Sequence, residues 1–112
     1  MPDLDAEDQK LVTLARSARA RTGAAEGAAV RDTDGRTYAA ATVDQPSFRL
    51  TAVQAAVAAA LSSGAEGIEA AAVVTADALV AEASVQAVRD VAKTAPIVRA
   101  DPSGAVAEVQ RP

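Results

Sequence analysis

Apolar positions along the chain alternate between helical and strand spacing. From about residue 5 to 21, Leu11, Leu14, Ala15 and Ala18 recur three and four apart, which places them on one face of a helix. Asp5, Glu7 and Asp8 open this segment, and Arg16, Arg19 and Arg21 close it, an order that suits the helix dipole. Gly23 is placed to stop it. Two short runs, 27–32 and 36–43, flank Asp34-Gly35 and predict a hairpin, with Pro46 ending its second strand. Thr51 and Gln54 have the spacing of a capping box and predict a second helix through 55–64, closed by Gly64. That helix is apolar all round, a pattern that predicts burial. Residues 68–76 are apolar on both faces and read as a central strand. A third helix is expected within 78–94, from Ser84 to about Lys93, and Pro96 prevents its extension. Strands at 96–100 and 105–109 flank a turn at 101–104. The order α-β-β-α-β-α-β-β predicts one α/β domain over residues 1–112, layered around a mixed sheet, with 1–4 and 110–112 frayed.

Composition narrows the chemistry more than the fold. The apolar half of the chain is mostly 31 Ala and 14 Val, with 2% aromatics, so the core must be built from small, closely packed side chains. There is no Cys and no His, which excludes a disulfide, a thiol nucleophile, an imidazole base and a zinc site of Cys or His ligands. Eleven basic against fifteen acidic residues give a net charge of −4, so neither a nucleic-acid footprint nor affinity for an anionic membrane is expected. No run approaches the ~18 apolar residues of a membrane span. The acidic, polar first ten residues do not resemble a targeting peptide, and a cytoplasmic protein is expected.

Individual polar residues suggest little chemistry. Ser47, Ser62, Ser63, Ser84 and Ser103 have no imidazole to activate them, and a Ser–Lys pair would need Lys10 or Lys93. Glu66 and Glu69 read as solvated carboxylates before a strand. The stretch 23–27 has two glycines but no lysine and no strand-to-helix context, so it is not a phosphate loop. Phe48 is expected in the core.

The same elements, in this order, resemble the cytidine deaminase family from about residue 8 to 109. GAAV (27–30) is similar to the family's V-G-A-A-L strand. DGRTYAAATVDQPSFRLT (34–51) is similar to D-G-x-x-Y-x-G-x-N-V-E-N-A-S-Y-G-L-T. IEAAAVV (68–74) matches its central strand, and IVRADPSGAVAEV (97–109) its closing V-x-L-x-D-x-x-G-x-V. The resemblance implies a cytidine deaminase-like three-layer α-β-α sandwich with a mixed sheet.

In that family, zinc ligands and a proton-shuttling Glu lie in C-A-E or H-A-E at the start of the second helix. Two more ligands lie in P-C-x-x-C at the start of the third. Counting from Leu50-Thr51, the first ligand falls on Val53 and the Glu on Ala55. With the family's Arg on Arg89, the two Cys positions fall on Val85 and Val88. A shift of two in the second helix would substitute Thr51 and Val53, and neither register restores a thiolate, imidazole or carboxylate. The ribose-binding Asn and Glu correspond to Thr42 and Asp44, and the pocket aromatic to about Ala25. Thr42 also reads as an ordinary strand-end residue and Asp44 as a loop cap.

The expectation is a catalytically inactive, zinc-free relative without a cofactor, acting through protein contacts or as an oligomeric scaffold. By resemblance it forms a homo-oligomer, dimer or tetramer, and a further protein partner is open. The alternative is a module that binds a nucleoside- or nucleotide-like molecule in the remnant pocket around Thr42 and Asp44.

Overall fold

The computed structural model describes residues 4–112; the expected fraying of residues 1–3 lies outside them. Helix α1 spans Ala6–Thr22. The Asp5 side chain accepts from the Asp8 amide at its start, and Gly23, at φ 66°, takes the left-handed conformation that ends it. Strands β1 (Gly27–Asp32) and β2 (Thr37–Ala41) form the expected hairpin, with Gly35 at φ 84°. A two-residue ribbon absent from the sequence reading follows, β3 (Val43–Asp44) with β4 (Arg49–Leu50). Helix α2 (Ala52–Ser62) starts at a complete capping box: Thr51 accepts from the Gln54 amide and the Gln54 side chain accepts from the Thr51 amide. Strand β5 (Ile68–Val74), helix α3 (Glu82–Val91) and strands β6 (Ile97–Ala100) and β7 (Val106–Gln110) complete the chain. Helix α3 therefore begins two residues before Ser84. At the ends, Leu4 packs against the core and Gln110 pairs with Ile97.

The sheet order is β2-β1-β5-β6-β7. Only β5 and β6 run parallel, joined by α3; the other neighbours are antiparallel. One face carries α1, through Leu11, Val12 and Ala15 against Ala29, Ala72, Val74 and Val98. The other carries α2 and α3, through Val53, Ala56, Val57 and Val88 against Ala28, Val30, Ala71, Val73 and Ile97. This is a three-layer α-β-α sandwich. All of β1 is buried, so strand residues of both parities face a helix layer.

Small side chains bring the layers close. A Cβ placed on Gly27 would lie 2.0 Å from the Ala15 carbonyl oxygen and 2.7 Å from the Arg19 amide nitrogen, so glycine is required where α1 crosses β1. The hairpin is locked from within. Asp32 accepts from the Tyr38 hydroxyl at 2.7 Å and from the amides of Asp34 and Arg36. The Tyr38 hydrogen bond is the largest influence holding the Asp32 carboxyl below its usual range, and the same bond raises the Tyr38 phenol.

Three sequence expectations change. Helix α2 is not buried all round: Ala58 and Leu61 face outward while Val53, Ala56, Val57 and Ala60 face the sheet. Phe48 is 57% exposed, at the tip of the β3–β4 ribbon, and does not enter the core. Glu69 is not merely solvated; it pairs with Arg31, which also binds Asp8 at 2.9 Å. Burial works against the Arg31 charge, but hydrogen bonds to Glu69 and Asp8 outweigh it and raise its pKa.

Candidate functional site

Helices α2 and α3 meet at their N-termini. The Ser84 hydroxyl, 1% exposed, donates to the Thr51 hydroxyl oxygen at 2.8 Å. Thr51 Oγ1 also accepts the Gln54 amide, so one side chain caps α2 and ties it to α3. Helix α3 has no side-chain cap of its own, because Ala81 occupies that position. Its far end is closed by Arg89, which donates to the carbonyl oxygens of Ala92 and Ala95 at 3.2 and 2.7 Å.

Behind this junction the surroundings are apolar. Val53 and Val88 are fully buried in the same cluster, and Val85 packs against its edge. Ala55 is half-buried on α2 and lies outside that cluster. The structure thus places Val53, Val85 and Val88 in or against one apolar cluster. Among the described residues, no three of His, Cys, Asp and Glu converge as metal ligands would.

In front of the junction is a cleft of about 420 Å³, with Ala25, Thr42, Asp44, Arg49, Thr51 and Asp77 in its wall. It joins positions that are far apart in sequence, Thr42 and Asp44 among them. Both are already engaged. The Thr42 hydroxyl accepts the Glu26 amide at 3.1 Å, and Asp44 binds Arg49 at 2.8 Å in an exposed ion pair. Arg49 and Asp77 were not singled out in the sequence. The β3–β4 pairing that seats Arg49 beside Asp44 is two residues long, too short to leave a periodic signal.

A family model described as cytidine deaminase-like matches residues 4–104. The chain belongs to the cytidine deaminase-like family. Among solved structures, cytidine deaminase from Burkholderia pseudomallei superimposes with a TM-score of 0.79 at 23% identity, covering 91% of this chain and 90% of that one. Cytidine deaminase from Mycobacterium leprae gives 0.72 at 20% identity, covering 97% and 94%. A mutant cytidine deaminase from Mycobacterium tuberculosis gives 0.72 at 24%, covering 97% and 92%. At these identities the likeness is one of fold. No curated protein matches the sequence.

Zinc is the group that the family resemblance implies, and the side chains here do not fit it. A zinc ion takes thiolate, imidazole or carboxylate donors. The pair of N-termini offers Val53, Val85 and Val88, with the Thr51 and Ser84 hydroxyls committed to each other. Among the described residues the Ser84 hydroxyl bonds to another hydroxyl, that of Thr51, and not to a base.

Proposed function

We propose that this protein is a zinc-free cytidine deaminase-like protein that does not deaminate cytidine and acts by contact with other protein chains, beginning with copies of itself. The observation that carries the proposal is the side-chain set at the paired helix N-termini. The family resemblance assigns the ligand positions to Val53, Val85 and Val88 and the proton-shuttle position to Ala55, none of which can bind a metal or carry a proton. Replacing every polar member together avoids an uncompensated buried charge, which would be strongly destabilising. Metal analysis of the purified protein is expected to find no stoichiometric zinc, and cytidine absorbance to stay constant on incubation. About one zinc per chain, or a chelator-sensitive absorbance change, would overturn the reading.

Self-association is supported by the outer face of α2. This eleven-residue helix has no charged side chain, and Ala58 and Leu61 face outward. In a chain of net charge −4, such a face is one where two copies can meet without like-charge repulsion. Light scattering is expected to give a multiple of 11.2 kDa, and Ala58→Arg to lower that mass while leaving the chain folded. A chain without cysteine has no disulfide to form and suits the reducing cytoplasm.

A second reading is favoured by the 420 Å³ cleft, which gathers Thr42, Asp44 and Thr51 at one opening. There the protein would bind a nucleoside-like molecule without transforming it. Thermal shift with nucleosides, bases and nucleotides separates the two readings: a shift lost in Asp44→Ala supports the binding module.

A further inference from the structure

The sheet has two edges, and the chain treats them differently. Edge strand β7 contains Glu108, paired with Arg99, and is followed by Arg111 and Pro112. Its pairing with β6 is interrupted by an irregularity between Arg99 and Ala100. Charge, proline and bulges are the usual means of blunting an edge against further pairing. Edge strand β2, Thr37-Tyr38-Ala39-Ala40-Ala41, contains none of them.

The backbone of β2 has a definite polarity. Asp32 N–H donates to the Arg36 carbonyl at 2.8 Å, and Thr42 N–H donates to the Glu26 carbonyl at 3.1 Å. With the register Arg31↔Thr37 through Gly27↔Ala41, antiparallel alternation turns the peptide groups of Tyr38 and Ala40 toward β1. The peptide groups of Thr37, Ala39 and Ala41 therefore turn outward, away from the sheet.

We propose that this free edge pairs antiparallel with the same edge of a second copy about a two-fold axis at Ala39, giving one continuous ten-stranded sheet. Three outward residues at spacing two are self-complementary. Ala39 meets the partner's Ala39, and Thr37 meets the partner's Ala41, in hydrogen-bonded pairs with about six bonds in all. Along the paired strands no like charges face each other. Residues 37–42 carry none, and Arg36 falls opposite the partner's Thr42. Side chains of Ala and Thr let the strands approach, and exposed Ala39 leaves its side of the strand open. A second copy needs only the matching register. This interface is separate from the outer face of α2 and does not depend on it.

The test uses the symmetry. Ala39 faces its own counterpart, so Ala39→Lys and Ala39→Glu each place like charges directly opposite across the axis. Each variant alone is expected to dissociate at protein concentrations roughly tenfold higher than the unaltered chain, while an equimolar mixture regains association as a mixed pair. Native mass spectrometry distinguishes mixed from like pairs, and Ala58→Arg should leave the mixing behaviour unchanged. In the unaltered protein, amide exchange at Thr37, Ala39 and Ala41 should slow as concentration rises. The proposal fails if the single variants keep the original mass, if the mixture does not re-associate, or if those three amides exchange freely at all concentrations.

Discussion

On the α1 face of the sheet a cation is buried between two carboxylates; where the two helix N-termini meet on the α2/α3 face, the buried polar contact is a pair of hydroxyls. Arg31, only 10% exposed at its side chain, reaches from β1 to Asp8 on α1 and Glu69 on β5. On the opposite face, the meeting point of two helix N-termini uses the Thr51 and Ser84 hydroxyls beside a valine-alanine cluster, while the Arg89 guanidinium at the far end of α3 binds carbonyl oxygens. Helix N-termini carry partial positive charge and are natural places for thiolates and anions. Here the charged cluster lies across the sheet from them. The contrast teaches that a buried charge cluster and a charge-free helix junction can coexist on opposite faces of one small sheet.

Removing the charged cluster should have the larger effect. Arg31→Ala leaves Asp8 and Glu69 without their cation, and a loss of about 2–4 kcal/mol is expected from denaturant unfolding. A change below about 0.5 kcal/mol would mean that the two carboxylates are solvated without cost, and the contrast between the faces would vanish. Ser84→Ala on the other face should cost about 1 kcal/mol, because Thr51 Oγ1 keeps the Gln54 amide and only one neutral hydrogen bond is lost. A cost as large as that of Arg31→Ala would show that the hydroxyl pair is a keystone of the helix junction.

The smallest effect is expected from the hairpin lock, and it depends on pH. The Asp32 carboxyl titrates below its ordinary value in the folded chain, chiefly because Tyr38 donates to it. Its contribution is complete above the unfolded value near 4 and is lost as pH falls through the lower folded value. The Tyr38 phenol is raised, so its contribution is complete below about 10 and is lost as pH rises through the higher folded value. Tyr38→Phe should therefore narrow the stability difference between pH 7 and pH 3 measured by urea unfolding. An unchanged difference would assign the acid sensitivity elsewhere, with Asp101 next in line because Ser103 and the Ala105 amide hold its carboxyl down as well.

Local signals in the sequence were sufficient for most elements. Asp5 and Gly23 bound α1, Thr51 and Gln54 start α2, and Asp34-Gly35 turns the first hairpin, each through a contact within a few residues. What escaped was long-range. Arg31 lies 38 residues from Glu69 and 23 from Asp8, and Ser84 lies 33 from Thr51, so no local pattern announces these pairs. Phe48, expected in the core, sits at a ribbon tip that holds it in solvent. For the candidate site, Val53, Ala55, Val85 and Val88 can be named only by likeness to a motif, because an apolar side chain carries no chemical signal of its own. Thr42 and Asp44 were readable as positions; the Glu26 and Arg49 partners that occupy them were not.

Strand β1 sets how the molecule opens. Ala28 and Val30 belong to one apolar cluster and Ala29 to the other, and β1 hydrogen-bonds to β2 on one side and β5 on the other. Neither helix layer can lose its support at β1 without removing the floor of the other layer. Exchange protection should therefore rise to a common ceiling in β1 and β5, with α1 and α2 sharing it, and unfolding should be a single event. In mechanical terms β1 is a shared wall, so a destabilising change on either face is felt in full on both.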